Sequence, residues 1–285
     1  MEDKRIINCN GNFYSSADPV FLCNNRAFLY GDALFETIAC FNGKIPFLKD
    51  HISRLKSGME ILKMRVPFQF SEEFFRDQIG SLNRKNKYFK GVRIRITVFR
   101  NAGGLFTPDD NNVSYFIDSK VLPEDHFVLN KKGYSLGVFK DIVKSLNILS
   151  GVKSTNDLLY ILAGIYRKQK NLDDCILINE NNYICETLSS NIFLIKDNKI
   201  YTPSIQSGCL PGVMRKNIIQ ISRKTGIALE EVSGLTIDHV YEADECFITN
   251  AVNGIRWISV FKDKRYFNNT AVLFTRELNK LVINS

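Results

Sequence analysis

The sequence predicts a mixed α+β fold (α/β in part) in two domains, with substantial antiparallel sheet. A length of 285 residues exceeds the usual size of one domain, so two cores are expected. Stretches whose apolar residues alternate with period two are interleaved with stretches whose apolar residues recur every three or four positions, the marks of strands and helices respectively. Turn signals such as Asn42-Gly43 and Asp197-Asn198 join neighbouring strands without a long crossover.

In chain order, Asn42-Gly43 lies between apolar stretches in Phe35 to Phe47 and predicts a hairpin, because both residues accept the positive φ of a type I′ turn. From Leu48 to Lys63 the residues Ile52, Leu55, Met59 and Leu62 predict a helix that puts His51 and Arg54 one turn apart. Ser71 followed by Glu72 and Glu73 reads as a helix start, with the helix running towards Arg84. Val92, Ile94, Ile96 and Val98 alternate with Arg93, Arg95, Thr97 and Phe99 in a strand ending at Arg100, ahead of a Gly103-Gly104 loop. A further strand follows near Val113 to Ile117.

The polar, aperiodic stretch 123–132 is the expected linker, between an N-terminal domain at 1–122 and a C-terminal domain at 133–285. The second half then reads as strand 134–140, helix 155–169, strand 174–180, a hairpin over 191–202 turning at Asp197-Asn198, helix 212–225, strand 244–250 and a helix from Val272. No repeat of 20 to 50 residues is present.

Composition excludes several classes. At 45% apolar and 24% charged residues the chain matches a globular protein rather than a disordered one. The start, Met1-Glu-Asp-Lys-Arg, lacks an apolar signal core, and the longest uncharged apolar run, Leu158 to Tyr166, is far short of the roughly 18 residues of a membrane span. A soluble cytoplasmic protein with no membrane partner is expected. Seven cysteines, with no Cys-x-x-Cys pair and no nearby His, suit reduced and mostly buried thiols and no metal; the other reading is a reactive Cys209 beside Gly208. The net charge of +8 is spread along the chain, and its densest cluster, Arg84, Lys85, Lys87 and Lys90, sits where a helix should end, which the helix dipole explains without nucleic acid.

Lys153, in Ser150-Gly-Val-Lys-Ser-Thr-Asn-Asp-Leu158 ahead of a predicted helix, is by local spacing no more than a surface charge. Its company gives it meaning. Arg26-Ala-Phe-Leu-Tyr-Gly-Asp-Ala-Leu-Phe-Glu36 resembles the entry motif of the class IV aminotransferases, pyridoxal-phosphate enzymes of fold type IV. Asn42-Gly-Lys44, His51-Ile-Ser-Arg-Leu55, Lys153, Glu186-Thr-Leu-Ser-Ser-Asn-Ile-Phe193, Leu210-Pro-Gly-Val-Met-Arg215 and Ala243-Asp-Glu-Cys-Phe-Ile-Thr-Asn250 follow in family order.

The resemblance implies a two-domain fold like that of the D-amino-acid aminotransferases, with cofactor at the domain interface, a small anionic or amino-acid substrate, and a homodimer. It implies that Lys153 holds pyridoxal 5′-phosphate as a Schiff base and later acts as a base. Glu186 resembles the acid that pairs with the pyridine nitrogen, and otherwise reads as a strand-end carboxylate. Arg54 resembles the arginine that grips the cofactor phosphate, a role its planar fork suits. Val213 and Met214 open a helix whose amides can bind the same phosphate, although Pro211-Gly212 is also an ordinary turn before a helix. Tyr30 resembles an active-site tyrosine and otherwise reads as a core aromatic; Asp32 and Glu36 read as structural. Arg100 aligns with an arginine that holds a substrate carboxylate in some members, or is a strand-end charge. Asn156, Ser190 and Asn250 are candidates near the cofactor.

Asn250-Ala251 is similar to the 4-amino-4-deoxychorismate lyases, where the aminotransferases carry small hydroxyl residues. Lyase chemistry is therefore expected, with branched-chain or D-amino-acid transamination as the alternative. Arg256, if it faces inwards, is a second candidate to hold a substrate carboxylate; it departs from the expected pattern, and a surface arginine beside Trp257 is its other reading. A non-catalytic binding protein on the same fold is the alternative of another class, and the joint presence of Lys153, Glu186 and Arg54 argues against it.

Overall fold

The computed structural model describes residues 5–283 and divides into two compact units. Unit 1 takes the chain up to His126 together with Val152–Asn156, and unit 2 takes Phe127–Gly151 and the chain from Asp157 onward. The chain thus passes from unit 1 to unit 2 after His126, returns to unit 1 for Val152–Asn156 and re-enters unit 2 at Asp157.

Unit 1 contains β1 (Ile6–Cys9), β2 (Asn12–Ser15), α1 (Arg26–Tyr30), β3 (Ala33–Phe41), α2 (Leu48–Ile61), α3 (Glu72–Asn86), β4 (Gly91–Arg100) and β5 (Val113–Val121). Its five strands form an antiparallel sheet in the order β2-β1-β5-β4-β3. Ile38, Ile94, Ile96 and Ile117 bury one face beneath Ile52, Leu55 and Met59 of α2 and Phe75, Ile79 and Leu82 of α3. The alternation read from Val92 to Phe99 is thus a two-sided strand. Ser71 caps α3 by accepting from Phe74 N at 3.0 Å, and Arg84 and Lys85 occupy its last turn, so the densest basic cluster is a helix end.

The hairpin expected at Asn42-Gly43 is corrected. Both residues take positive φ, 50° and 81°, and Phe41 and Lys44 exchange hydrogen bonds, but pairing stops there. Pro46 cannot donate to a ladder, and the apolar side chains from Leu48 onward recur at helical spacing, so the chain enters α2 and β3 pairs with β4 along its length.

Unit 2 contains β6 (Tyr134–Lys144), α4 (Leu158–Gln169), β7 (Asp174–Asn179), β8 (Ile184–Thr187), β9 (Asn191–Lys196), β10 (Lys199–Pro203), a 3₁₀ turn (Ile205–Ser207), α5 (Val213–Thr225), β11 (Leu229–Val232), α6 (Ile237–Glu242), β12 (Glu245–Asn250), β13 (Gly254–Phe261), β14 (Lys264–Arg265) and α7 (Asn269–Ile283). Its sheet runs β11-β10-β9-β12-β13-β6-β7-β8, with β14 on β13. Pairing is parallel at β10/β11, β13/β6 and β6/β7 and antiparallel elsewhere, which makes the fold mixed. Phe193, Phe247 and Phe274 pack together between sheet and α7, while Phe139, Cys175 and Leu177 meet Ala163 of α4. As expected, 191–202 is a hairpin, with Asp197 and Asn198 at φ 50° and 59°.

The helix expected from 155 begins at Leu158, because Thr155 donates its N–H to Ala33 O and the preceding residues are drawn out along β3. All seven cysteines are free thiols, five of them buried. Burial pushes Cys209 up to about 11, which removes the reactive-thiolate reading. Among the described residues no helix is long and apolar enough to cross a membrane.

Candidate active site

Within unit 1 the site is built on the edge of β3. Phe35 N donates to Lys153 O at 3.0 Å, Thr155 N donates to Ala33 O at 3.0 Å, and Leu34 bridges to Ser154, so Val152–Asn156 adds a short antiparallel segment to β3. Lys153 Nζ lies 4.3 Å from the centroid of the Phe35 ring, and the Arg95 guanidinium lies 3.7 Å from the same centroid. The register explains the meeting: Thr97 is opposite Phe35 and Arg95 opposite Thr37, so these side chains share the sheet face turned away from α2 and α3. Sequence reading missed Arg95, treating it as one polar member of an alternating strand; what marks it is that its parity matches Phe35 across the pair.

One residue along β3, on the other face, Glu36 is buried. Arg54 donates from Nε to Oε1 at 2.7 Å and from Nη2 to Oε2 at 2.6 Å, and His51 Nδ1 donates to Oε2 at 2.7 Å. Burial pushes the Glu36 carboxyl up, but the Arg54 charge and the hydrogen bonds outweigh it and hold the group at about 2. Glu36 therefore sets the direction of the Arg54 fork, and the helical spacing of His51 and Arg54 brings both to one carboxylate.

Tyr30 ends α1, and Gly31 follows at φ 65°. A Cβ on Gly31 would come within 2.7 Å of Asn156 Oδ1, and the Gly31 carbonyl accepts from Asn156 Nδ2 and Thr155 Oγ1, both at 3.0 Å. The turn after Tyr30 and the Lys153 segment are thus held together. The Tyr30 ring carries the Arg26 guanidinium at 4.8 Å and contacts Phe106.

Arg100 does not fit a substrate-facing role. It is buried, its Nε donates to Asp32 Oδ2 at 2.9 Å, Nη2 to Leu62 O at 2.7 Å, and Nη1 to Asn111 Oδ1. Asp32 Oδ2 also accepts from Arg26 Nε at 2.9 Å, so Asp32 is structural as read. Arg100 locks the end of β4 to the loops around it.

Within unit 2, Glu186 is buried on β8 and accepts from Lys144 Nζ (2.5 Å), Tyr160 Oη (2.7 Å) and Leu210 N (2.9 Å). Burial raises its pKa, but the Lys144 ammonium and the three hydrogen bonds outweigh that, for a net depression. Asn250 Nδ2 donates to Ser190 Oγ at 3.0 Å, while Asn250 Oδ1 accepts from Val252 N and Asn253 N, which shapes the turn carrying Ala251. Val213 and Met214 are buried and open α5, so they offer backbone amides; no side chain caps that helix start. A Cβ on Gly212 would meet Asn191 Oδ1 at 1.9 Å, and the Thr249 hydroxyl, on the β12 residue paired with Asn191, is buried with no hydrogen-bond partner. Arg256 is engaged by Val128 O and Ile255 O, and Trp257 by Asn130.

The class IV amino-transferase family model matches residues 33–261, and the chain belongs to that family. A Methanocaldococcus jannaschii protein with the provisional name of branched-chain-amino-acid aminotransferase is 30% identical over 92% of this chain and 90% of its own. The aminodeoxychorismate lyase of Bacillus subtilis is 26% identical over 97% of this chain and 96% of its own. Among solved structures, the branched-chain amino acid aminotransferase of Thermobaculum terrenum, in its pyridoxal-phosphate form, superposes with a TM-score of 0.85 over 100% of this chain and 95% of that one, at 19% identity, which shows the fold.

The residues fit pyridoxal phosphate. Within unit 1, a lysine on a strand edge and an arginine fork fixed by a buried carboxylate suit an aldehyde and a phosphate; within unit 2, a helix start with uncapped amides, a glycine where a Cβ has no room, an orphan buried hydroxyl and a depressed carboxylate suit a phosphate and a ring nitrogen.

Proposed function

We propose that this chain is a pyridoxal-phosphate-dependent 4-amino-4-deoxychorismate lyase that forms 4-aminobenzoate, a folate precursor, and pyruvate. Lys153 carries the cofactor, Arg54 and the amides of Val213 and Met214 hold its phosphate, Glu186 pairs with its ring nitrogen, and Ser190 and Asn250 line its surroundings. When bound, pyridoxal phosphate supplies an electron sink for the pair left on the substrate carbon. The Lys153 amine takes the proton from C4 of the substrate ring. The bond from C3 to the enolpyruvyl oxygen then breaks, the ring becomes aromatic, and a proton delivered to the enolpyruvyl methylene carbon gives pyruvate. Arg95, sharing the Phe35 ring with Lys153, replaces Arg100 as the group that holds a substrate carboxylate. Tyr30, at the turn tied to the Lys153 segment, bounds the substrate together with Ala251.

The observation that carries the lyase reading is Asn250-Ala251. The Asn250 amide is used up in shaping its own turn and holding Ser190, and the next side chain is a methyl group, so this turn offers no hydroxyl where the aminotransferases carry one. A second reading, amino-acid transamination, is favoured by the 30% identity to the M. jannaschii relative.

Purified protein given aminodeoxychorismate is expected to release 4-aminobenzoate and pyruvate in equal amounts. Conversion of the visible band to the pyridoxamine form by leucine, glutamate or D-alanine, with no pyruvate from aminodeoxychorismate, would replace the lyase by an aminotransferase. The family resemblance also supports a homodimer. The exposed Leu158, Ile161, Leu162 and Ile165 on one face of α4 give a second copy an apolar surface to cover.

A further inference from the structure

Glu186 has four acceptor positions as a carboxylate, two on each oxygen. Three are filled from within unit 2: Lys144 Nζ and Tyr160 Oη both donate to Oε1, at 2.5 and 2.7 Å, and Leu210 N donates to Oε2 at 2.9 Å. We propose that Lys144 and Tyr160 are positioning residues, which by saturating Oε1 fix the Glu186 carboxylate so that its one remaining acceptor position, on Oε2, receives the N–H of the cofactor's ring nitrogen. This rests on the reading of Glu186 as the ring-nitrogen acid.

The three donors come from separate parts of the fold. Lys144 ends β6, Tyr160 lies in the first turn of α4, and Leu210 precedes α5, so three independent points set the plane of the carboxylate. A carboxylate held only through Oε2 would be free to turn. The phenol can only be the donor here, since Glu186 is ionised and the Lys144 ammonium has no acceptor to offer. Burial and the Glu186 charge push the Tyr160 pKa up, which keeps that proton on the phenol. Lys144 has the second task. Stripped of its ammonium, a buried carboxylate takes up a proton, and a neutral acid would donate to the ring nitrogen instead of accepting from it. The ring would then lose the positive charge that makes it an electron sink.

The test is the ¹⁵N chemical shift of the ring nitrogen in holoenzyme loaded with ¹⁵N-labelled pyridoxal phosphate, together with cofactor affinity by equilibrium dialysis. Wild type should show a protonated ring. Tyr160→Phe should move the shift part of the way to the neutral-pyridine position and weaken cofactor binding about tenfold. Lys144→Met should move it further, and Lys144→Arg should restore it. Unchanged shift and affinity in Tyr160→Phe would overturn the proposal, and that variant, which removes a single oxygen, decides the matter alone if Lys144→Met does not fold. Glu186→Gln separates the underlying reading: if its shift equals that of wild type, Glu186 is not the ring-nitrogen acid; if it differs while Tyr160→Phe and Lys144→Met leave the shift where it was, that reading stands and the positioning roles fall.

Discussion

At Glu36, a carboxylate with 1% exposure receives both His51 and the two-pronged Arg54, and the chemistry assigned to Arg54 depends on it. The carboxyl sits near 2 in the fold against 4.5 for the free group, so its contribution to stability is complete above about pH 4.5 and is lost as pH falls through about 2. The size of that shift corresponds to about 3 kcal/mol, an order-of-magnitude figure. Glu36→Gln should therefore lower the urea midpoint strongly at pH 7, and the gap between variant and wild type should narrow on acidification below pH 4. It should also weaken cofactor retention, because Arg54 loses the anion that aims its fork. Retention equal to wild type in a folded Glu36→Gln protein would mean that Arg54 needs no such support.

Among the elements, α5 shows how a helix start is made available. Gly212 has ordinary φ, so its need is for space: a methyl group there would drive into Asn191 Oδ1, whose amide nitrogen is bound to Leu210 O. Gly212→Ala should displace the first turn of α5 and raise the cofactor dissociation constant at least tenfold, measured by dialysis, while the far end of the helix keeps its hydrogen-exchange protection. This helix is legible from Leu210-Pro211-Gly212, as are α2 and β4 from their periodicity and α3 from its Ser71 cap, because each signal lies within a dozen residues. The failures have one cause. The Asn42-Gly43 turn has the backbone of a hairpin but no second strand, since the burial of Leu48, Ile52 and Leu55 is satisfied by a helix. Thr155 and Asn156 look helical and are held at the start of β3 by hydrogen bonds to Ala33 O and Gly31 O, more than a hundred residues away in sequence. The same limit holds at the candidate site: motif order points to Lys153, Glu186 and Arg54, whereas Arg95, Lys144 and Tyr160 are marked only by the strand register and side-chain partners of the folded chain.

Across the whole molecule, the two units carry buried carboxylates that respond to pH in opposite directions. Glu36 in unit 1 favours the folded state when ionised, as set out above. Asp174 in unit 2 does the reverse. Burial raises it from 3.8 to about 6, against the lowering effect of hydrogen bonds from Cys175 N, Leu188 N and Thr187 Oγ1. A raised folded-state value means that its stabilising contribution is fully present below about pH 3.8 and is lost as pH rises through about 6, a difference of roughly 3 kcal/mol that unit 2 goes without at neutral pH. Asp174→Asn removes the cost with little rearrangement. The amide oxygen can keep the two backbone N–H donors on Oδ1, and the amide nitrogen can donate to Thr187 Oγ1, whose hydroxyl proton is then given to Ser190 O at 3.2 Å. The variant should raise the thermal midpoint at pH 7 to 8, with the gain shrinking between pH 6 and 4 and absent below. Scanning calorimetry across that range decides it: a gain independent of pH would place the effect in packing, and a loss at neutral pH would mean that the ionised carboxylate is needed by the strands it joins.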